Sequence, residues 1–157
     1  MPPTRILVVD DFRPWRHMVT SILEGERELQ VIGEAADGVD AVEKAEKMKP
    51  DLITLDIGLP RLDGIRAAMR ISEVSPASKI LFISQCNDLE LVRTALGSGS
   101  AGYLHKPNLR KELLPAVTAI LGGSTFLGSG MGAPDRGRVA LEEMRVVATA
   151  DYCPTTR

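Results

Sequence analysis

Apolar residues along this chain keep two rhythms that take turns. Short unbroken runs, such as Ile6-Leu7-Val8-Val9 and Leu52-Ile53-Thr54-Leu55, are bounded by charge, as strands buried on both faces are. Between such runs, apolar positions recur every three or four residues. Trp15, Met18, Val19, Ile22 and Leu23 predict a helix from Pro14 to about Glu24, with proline in the first turn and Gly25 as the stop. The same reading predicts strands over 29–35, 79–83 and 101–104, and helices over 39–48, 65–74, 88–96 and 109–121. Asp37 and Asn108 stand where two of these helices need N-caps. Five strands separated by single helices require parallel pairing through right-handed crossovers. The fold class is therefore α/β, a doubly wound five-stranded parallel sheet with helices on both faces.

What ends each apolar run carries the chemistry. The first run leads into Asp10-Asp11, the third strand into Asp56, the fourth into Ser84, and the fifth into Lys106. In the flavodoxin-like version of this sheet, taken by analogy, the order is 2-1-3-4-5 and ligands bind where that order reverses, between strands 1 and 3. Three carboxylates then share one sheet edge, with a hydroxyl and an ammonium beside them. Crowded carboxylates raise one another's pKa values or recruit a cation. An ion such as Mg2+ suits oxygen ligands and keeps positions for water and phosphate. A carboxylate that attacks a phosphoryl group forms an acyl phosphate, with positive groups covering the equatorial oxygens. Asp56 is the candidate nucleophile, because the loop Asp56-Ile57-Gly58-Leu59-Pro60 is expected to leave it accessible.

Composition narrows the field without redirecting it. A chain of 157 residues with 44% hydrophobic and 25% charged residues has a globular balance and length for one ordinary domain. A net charge of −2 and only 4% aromatics argue against direct nucleic-acid binding. No apolar run approaches the roughly 18 residues that a membrane span needs, and no export signal precedes the first strand. Cys86 and Cys153 lack metal or framework spacing, so reduced thiols and a cytoplasmic location are expected. Gly97-Ser98-Gly99-Ser100-Ala101-Gly102 matches a dinucleotide fingerprint in letters only; it follows a helix and precedes a strand, the reverse of what that site needs.

The stretches ILVVDD at 6–11, DLITLDIGLPRLDG at 51–64, the serine at 84 and GYLHKP at 102–107 resemble the receiver domain of bacterial two-component response regulators. The AGYLHK and GGSTFLGSGM stretches lean toward the NarL-type subfamily, here without its DNA-binding domain. The resemblance implies that Asp56 is the phosphoacceptor. It implies Mg2+ held by Asp10, Asp11, Asp56 and the backbone carbonyl of Gly58. Ser84 and Tyr103 are then the switch pair, Lys106 binds the phosphate, and Lys106-Pro107 is joined by a cis bond. Implied partners are a sensor histidine kinase or phosphotransfer protein and a downstream protein on the face of helix 4, strand 5 and helix 5; a homodimer stays open. The receiver is expected over residues 1–122. Residues 123–157 read as a Gly-rich linker and tail, with a short helix possible around Ala140 to Ala148 and no helix-turn-helix pattern. Two other readings stand beside this one: a phosphorylation-independent adaptor or dimerisation receiver, and a transcriptional regulator lacking its helix-turn-helix domain. A Mg2+-dependent aspartyl phosphatase is disfavoured, because Gly58 stands where that family places an acid.

Overall fold

The computed structural model describes residues 2–130. Six parallel strands form one sheet: β1 (Thr4–Val9), β2 (Leu29–Ala35), β3 (Leu52–Leu55), β4 (Lys79–Ser84), β5 (Gly102–His105) and β6 (Phe126–Leu127), in the order β2-β1-β3-β4-β5-β6. The helices between them are α1 (Arg13–Glu24), α2 (Gly38–Met48), α3 (Gly64–Val74), α4 (Leu89–Gly97) and α5 (Leu109–Leu121). The expected order of the first five strands is observed.

Each of β1 to β5 divides its side chains between two cores. Leu7, Val9, Ile53, Leu55 and Phe82 face one side and pack on Ala41, Ala45, Ala68, Ile71 and Val92 of α2, α3 and α4. Ile6, Val8, Leu52, Leu81 and Leu104 face the other and meet Val19, Leu23, Leu113 and Val117 of α1 and α5. Both faces are therefore dry, which explains why the strands read as continuous apolar runs. Burying each of the larger side chains contributes about 1.5–3 kcal/mol.

Local rules place the helix starts. Asp37, Asp63 and Asp88 accept hydrogen bonds from the amides of Asp40, Arg66 and Glu90, capping α2, α3 and α4. Asn108 precedes α5 but does not cap it; its side-chain amide donates to the Ser129 carbonyl instead, at 2.9 Å. Pro115 lies inside α5, where its ring removes one turn hydrogen bond, on the exposed side.

Two expectations require correction. The sheet does not stop at residue 122: Phe126 N–H donates to Ala101 O at 3.0 Å and Gly128 N–H to Tyr103 O at 2.9 Å, so β6 closes the outer edge of β5. Gly102 permits this approach, since a Cβ there would lie 2.7 Å from the Phe126 carbonyl oxygen. Secondly, the Lys106–Pro107 bond is trans, as no described residue follows a cis bond. Trans is the ordinary isomer, and Pro107 sits at the start of a single 3-10 turn over Lys106–Asn108, a position its fixed φ suits. Cys153 and the suggested helix around Ala140 to Ala148 lie outside the described residues.

Candidate functional site

Parallel registry brings the strand ends together. Asp56 N–H donates to Val9 O at 3.1 Å, so the β1–β3 ladder runs directly into the acidic positions. Ser84 pairs with His105 across β4 and β5, which sets Lys106 just beyond that edge. The long lysine side chain reaches back across the crevice. Its Nζ lies 2.7 Å from Asp10 Oδ2 and 3.5 Å from Asp56 Oδ2, with only 1% of the side chain exposed. Asp10, Asp11 and Asp56 each offer an oxygen, and these oxygens lie within 4.8 Å of one another. The expected cluster thus exists.

Its two buried carboxylates are held differently. Asp10 Oδ1 accepts from Phe12 N–H at 2.9 Å, which turns the chain into α1. The Asp10 carbonyl accepts from the Arg16 guanidinium at 2.9 Å, and Arg16 also bonds Glu34 at 2.9 Å. Asp56 Oδ1 accepts from Ile57 N–H at 2.9 Å, which fixes the carboxylate plane. Asp56 Oδ2 is buried without a hydrogen bond, because the 3.5 Å ion pair with Lys106 is too long to supply one.

Burial pushes the Asp56 carboxyl up to about 6, with the Asp10 charge adding to the effect; the Lys106 ammonium pulls the other way and Asp11 pushes slightly further. An orphaned buried oxygen, a raised pKa and three convergent hard donors fit a divalent cation. Lys106 serves meanwhile as an internal counter-ion.

Asp56 differs from expectation in one respect: it is 1% exposed. Ile57 and Leu59 pack into the core and fold the loop over the strand end. The Ile57 carbonyl accepts from both Leu59 and Gly64, at 2.9 and 2.7 Å, which tightens the turn. Gly64 is required there, since a Cβ would fall 2.1 Å from the Asp56 carbonyl oxygen. We expect Gly64→Ala to destabilise the fold by about 2–3 kcal/mol and to weaken divalent-cation binding. Urea titration with and without Mg2+ checks both, and wild-type stability in the variant would refute the contact.

Ser84 is buried and its hydroxyl accepts from Cys86 N–H at 3.1 Å. Tyr103 is already inward and fully buried, its hydroxyl donating to Cys86 O at 2.8 Å; burial pushes its phenol far up. His105 is half-buried, with Nε2 2.9 Å from Gln85 O. Sequence reading missed two further contributors. The Trp15 ring lies under the Lys106 ammonium, with 5.2 Å between Nζ and the ring centroid. Arg16 braces the Asp10 main chain. Helical spacing marked Trp15 as a packing residue, and no local pattern links it to a lysine 91 positions later.

Comparison with known proteins agrees with this geometry. The family described as the response regulator receiver domain matches residues 6–118. The chain is 40% identical over 121 residues to the chemotaxis protein CheY of Treponema pallidum, covering 76% of this chain and 83% of that one. It is 41% identical to a protein-glutamate methylesterase/protein-glutamine glutaminase of Geobacter sulfurreducens, but spans only 28% of that relative and 65% of itself. Among solved structures, the receiver domain of NarL from Mycobacterium tuberculosis superposes with a TM-score of 0.74 at 32% identity, covering 78% of this chain and 99% of that one. A CheX–CheY complex with BeF3 and Mg2+ from Borrelia burgdorferi gives 0.73 at 31%, covering 76% and 90%.

Proposed function

The chain belongs to the response regulator receiver domain family, and from that premise we propose that it takes a phosphoryl group on Asp56 and reports it through its surface. A receiver accepts a phosphoryl group in two-component signalling and is not itself a turnover enzyme. The observation that carries the residue assignment is the buried, orphaned Asp56 oxygen facing Lys106 and Asp10.

The residues divide the work as follows. An Asp56 carboxylate oxygen bonds to phosphorus while the bond from phosphorus to the donor breaks, and the departing electron pair and a proton go to the donor's imidazole nitrogen. Asp10, Asp11, Asp56 and the Gly58 carbonyl would hold Mg2+. When bound, that ion neutralises charge on the phosphoryl oxygens. Lys106 leaves Asp10 for a phosphoryl oxygen, and the Ser84 hydroxyl donates to another. Drawing Ser84 inward releases Cys86 N–H and shifts the segment that also holds Tyr103 through Cys86 O.

The donor is a phosphohistidine on a sensor kinase or phosphotransfer protein, and the exchange takes place in the cytoplasm. The output is a protein partner on the face of α4, β5 and α5, without direct contact to nucleic acid. Among subfamilies we place the chain with the NarL type, on the Ala101-to-Lys106 stretch and the likeness to the NarL receiver.

Trp15 is the chain's single tryptophan and adjoins Lys106. Its emission is expected to change saturably with Mg2+ and again with beryllium fluoride, while acetyl phosphate with Mg2+ yields one hydroxylamine-sensitive phosphoryl group. Mapping that group to a residue other than Asp56, or finding none, would overturn the assignment.

A further inference from the structure

We propose that Trp15 is a positioning residue for Lys106, holding the ammonium in place when a cation claims its carboxylate partners. The proposal rests on the phosphoryl-binding role given to Lys106 above. Among the described residues, three groups lie close to the ammonium: Asp10 Oδ2 at 2.7 Å, Asp56 Oδ2 at 3.5 Å and the Trp15 ring centroid at 5.2 Å. The last lies inside the roughly 6 Å range over which an aromatic face attracts a cation. The lysine side chain is almost wholly buried, so solvent screens these attractions little.

Two of the three neighbours belong to the acidic triad. A divalent ion bound there neutralises both carboxylates toward the lysine and repels the ammonium directly. The ring attracts through its quadrupole, which the ion does not neutralise. Trp15 is then the neighbour that still holds Lys106 at the crevice, within reach of an incoming phosphoryl oxygen.

The turn that carries Trp15 is fastened to the same strand end. Trp15 N–H donates to Phe12 O at 3.1 Å, and Phe12 N–H donates to Asp10 Oδ1. The next residue, Arg16, bonds the Asp10 carbonyl. The indole also packs against the core formed by Val19, Leu23 and Leu109. Packing alone accounts for its partial burial, but any large apolar side chain would satisfy that need. A ring face beneath the ammonium is the part that requires an aromatic.

Comparison of Trp15→Phe with Trp15→Leu in the full chain, loaded with Mg2+, separates the two roles. With acetyl phosphate, labelling of Asp56 is expected to slow about tenfold in Trp15→Leu and to stay within about threefold of wild type in Trp15→Phe. The Lys106 side-chain methylene protons should show upfield ring-current shifts in wild type and Trp15→Phe that vanish in Trp15→Leu. Equal labelling rates in the two variants, or unshifted Lys106 signals in wild type, overturn the proposal. Absence of label in wild type overturns the Asp56 assignment instead, and the ring-current comparison still decides the stacking.

Discussion

Asp56→Asn is expected to abolish phosphoryl labelling and, at pH 8 without divalent cations, to leave the protein more stable than wild type. An amide cannot form the acyl phosphate, so the first effect is complete loss. The second follows from linkage. The Asp56 carboxyl moves from 3.8 up to about 6 on folding, chiefly through burial and then through Asp10. The folded state therefore prefers the protonated form. That contribution is fully present below about pH 3.8 and is lost as pH rises through about 6. By pH 8 the ionised group costs the cation-free protein on the order of 3 kcal/mol. Asparagine does not titrate, so the variant's advantage should grow between about pH 4 and pH 6 and level off above that, and Mg2+ should erase it at pH 8 by stabilising wild type. Urea denaturation at several pH values with and without Mg2+ provides the check. Parallel stability profiles for the two proteins would show that the carboxylate is not poised this way.

Lys106→Met should act in the opposite sense. It removes the one positive side chain that, among the described residues, is ion-paired with the buried Asp10 and Asp56, and leaves those charges uncompensated. Breaking a buried pair by deleting one partner typically costs about 3–5 kcal/mol, and most of that loss is expected here at pH 8 without divalent cations. The pull that Lys106 exerts on Asp56 also disappears, so its carboxyl should titrate still higher than in wild type. A divalent ion meets no competing ammonium in the variant, so Mg2+ should bind more tightly and recover part of the stability. Labelling by acetyl phosphate should nonetheless slow, because a phosphoryl oxygen has lost its partner. Calorimetric titration of Mg2+ alongside thermal melts would test the combination. Weaker Mg2+ binding in Lys106→Met would mean that the lysine supports the metal site instead of competing with it.

The sheet and its acidic edge could be read early because their determinants are local. A two-sided strand needs an unbroken apolar run and an amphipathic helix needs period 3.6, so Leu29–Ala35 and Leu109–Leu121 were placed to the residue. Asp10, Asp11, Asp56, Ser84 and Lys106 each close such a run, and parallel topology alone assembles them. Properties set by distant neighbours were not legible. Phe126-Leu127 is too short to show a period, and its pairing depends on a free β5 edge and on the missing side chain of Gly102. Asn108 resembles a cap in sequence but is drawn to Ser129. The burial of Asp56 depends on how Ile57 and Leu59 pack, which no strand-end rule contains.

The course of the chain after α5 has a geometric outcome. Because β6 runs parallel to β5, the backbone travels back toward the lysine-bearing rim after leaving the far end of the helix. Glu112 anchors Ser129 there, and Asn87, three residues downstream of Ser84, anchors the carbonyl of Gly130. Polypeptide continuing past Gly130 sets out from the doorstep of the phosphate chemistry, where a shift of the segment after Ser84 would tug on the tether itself.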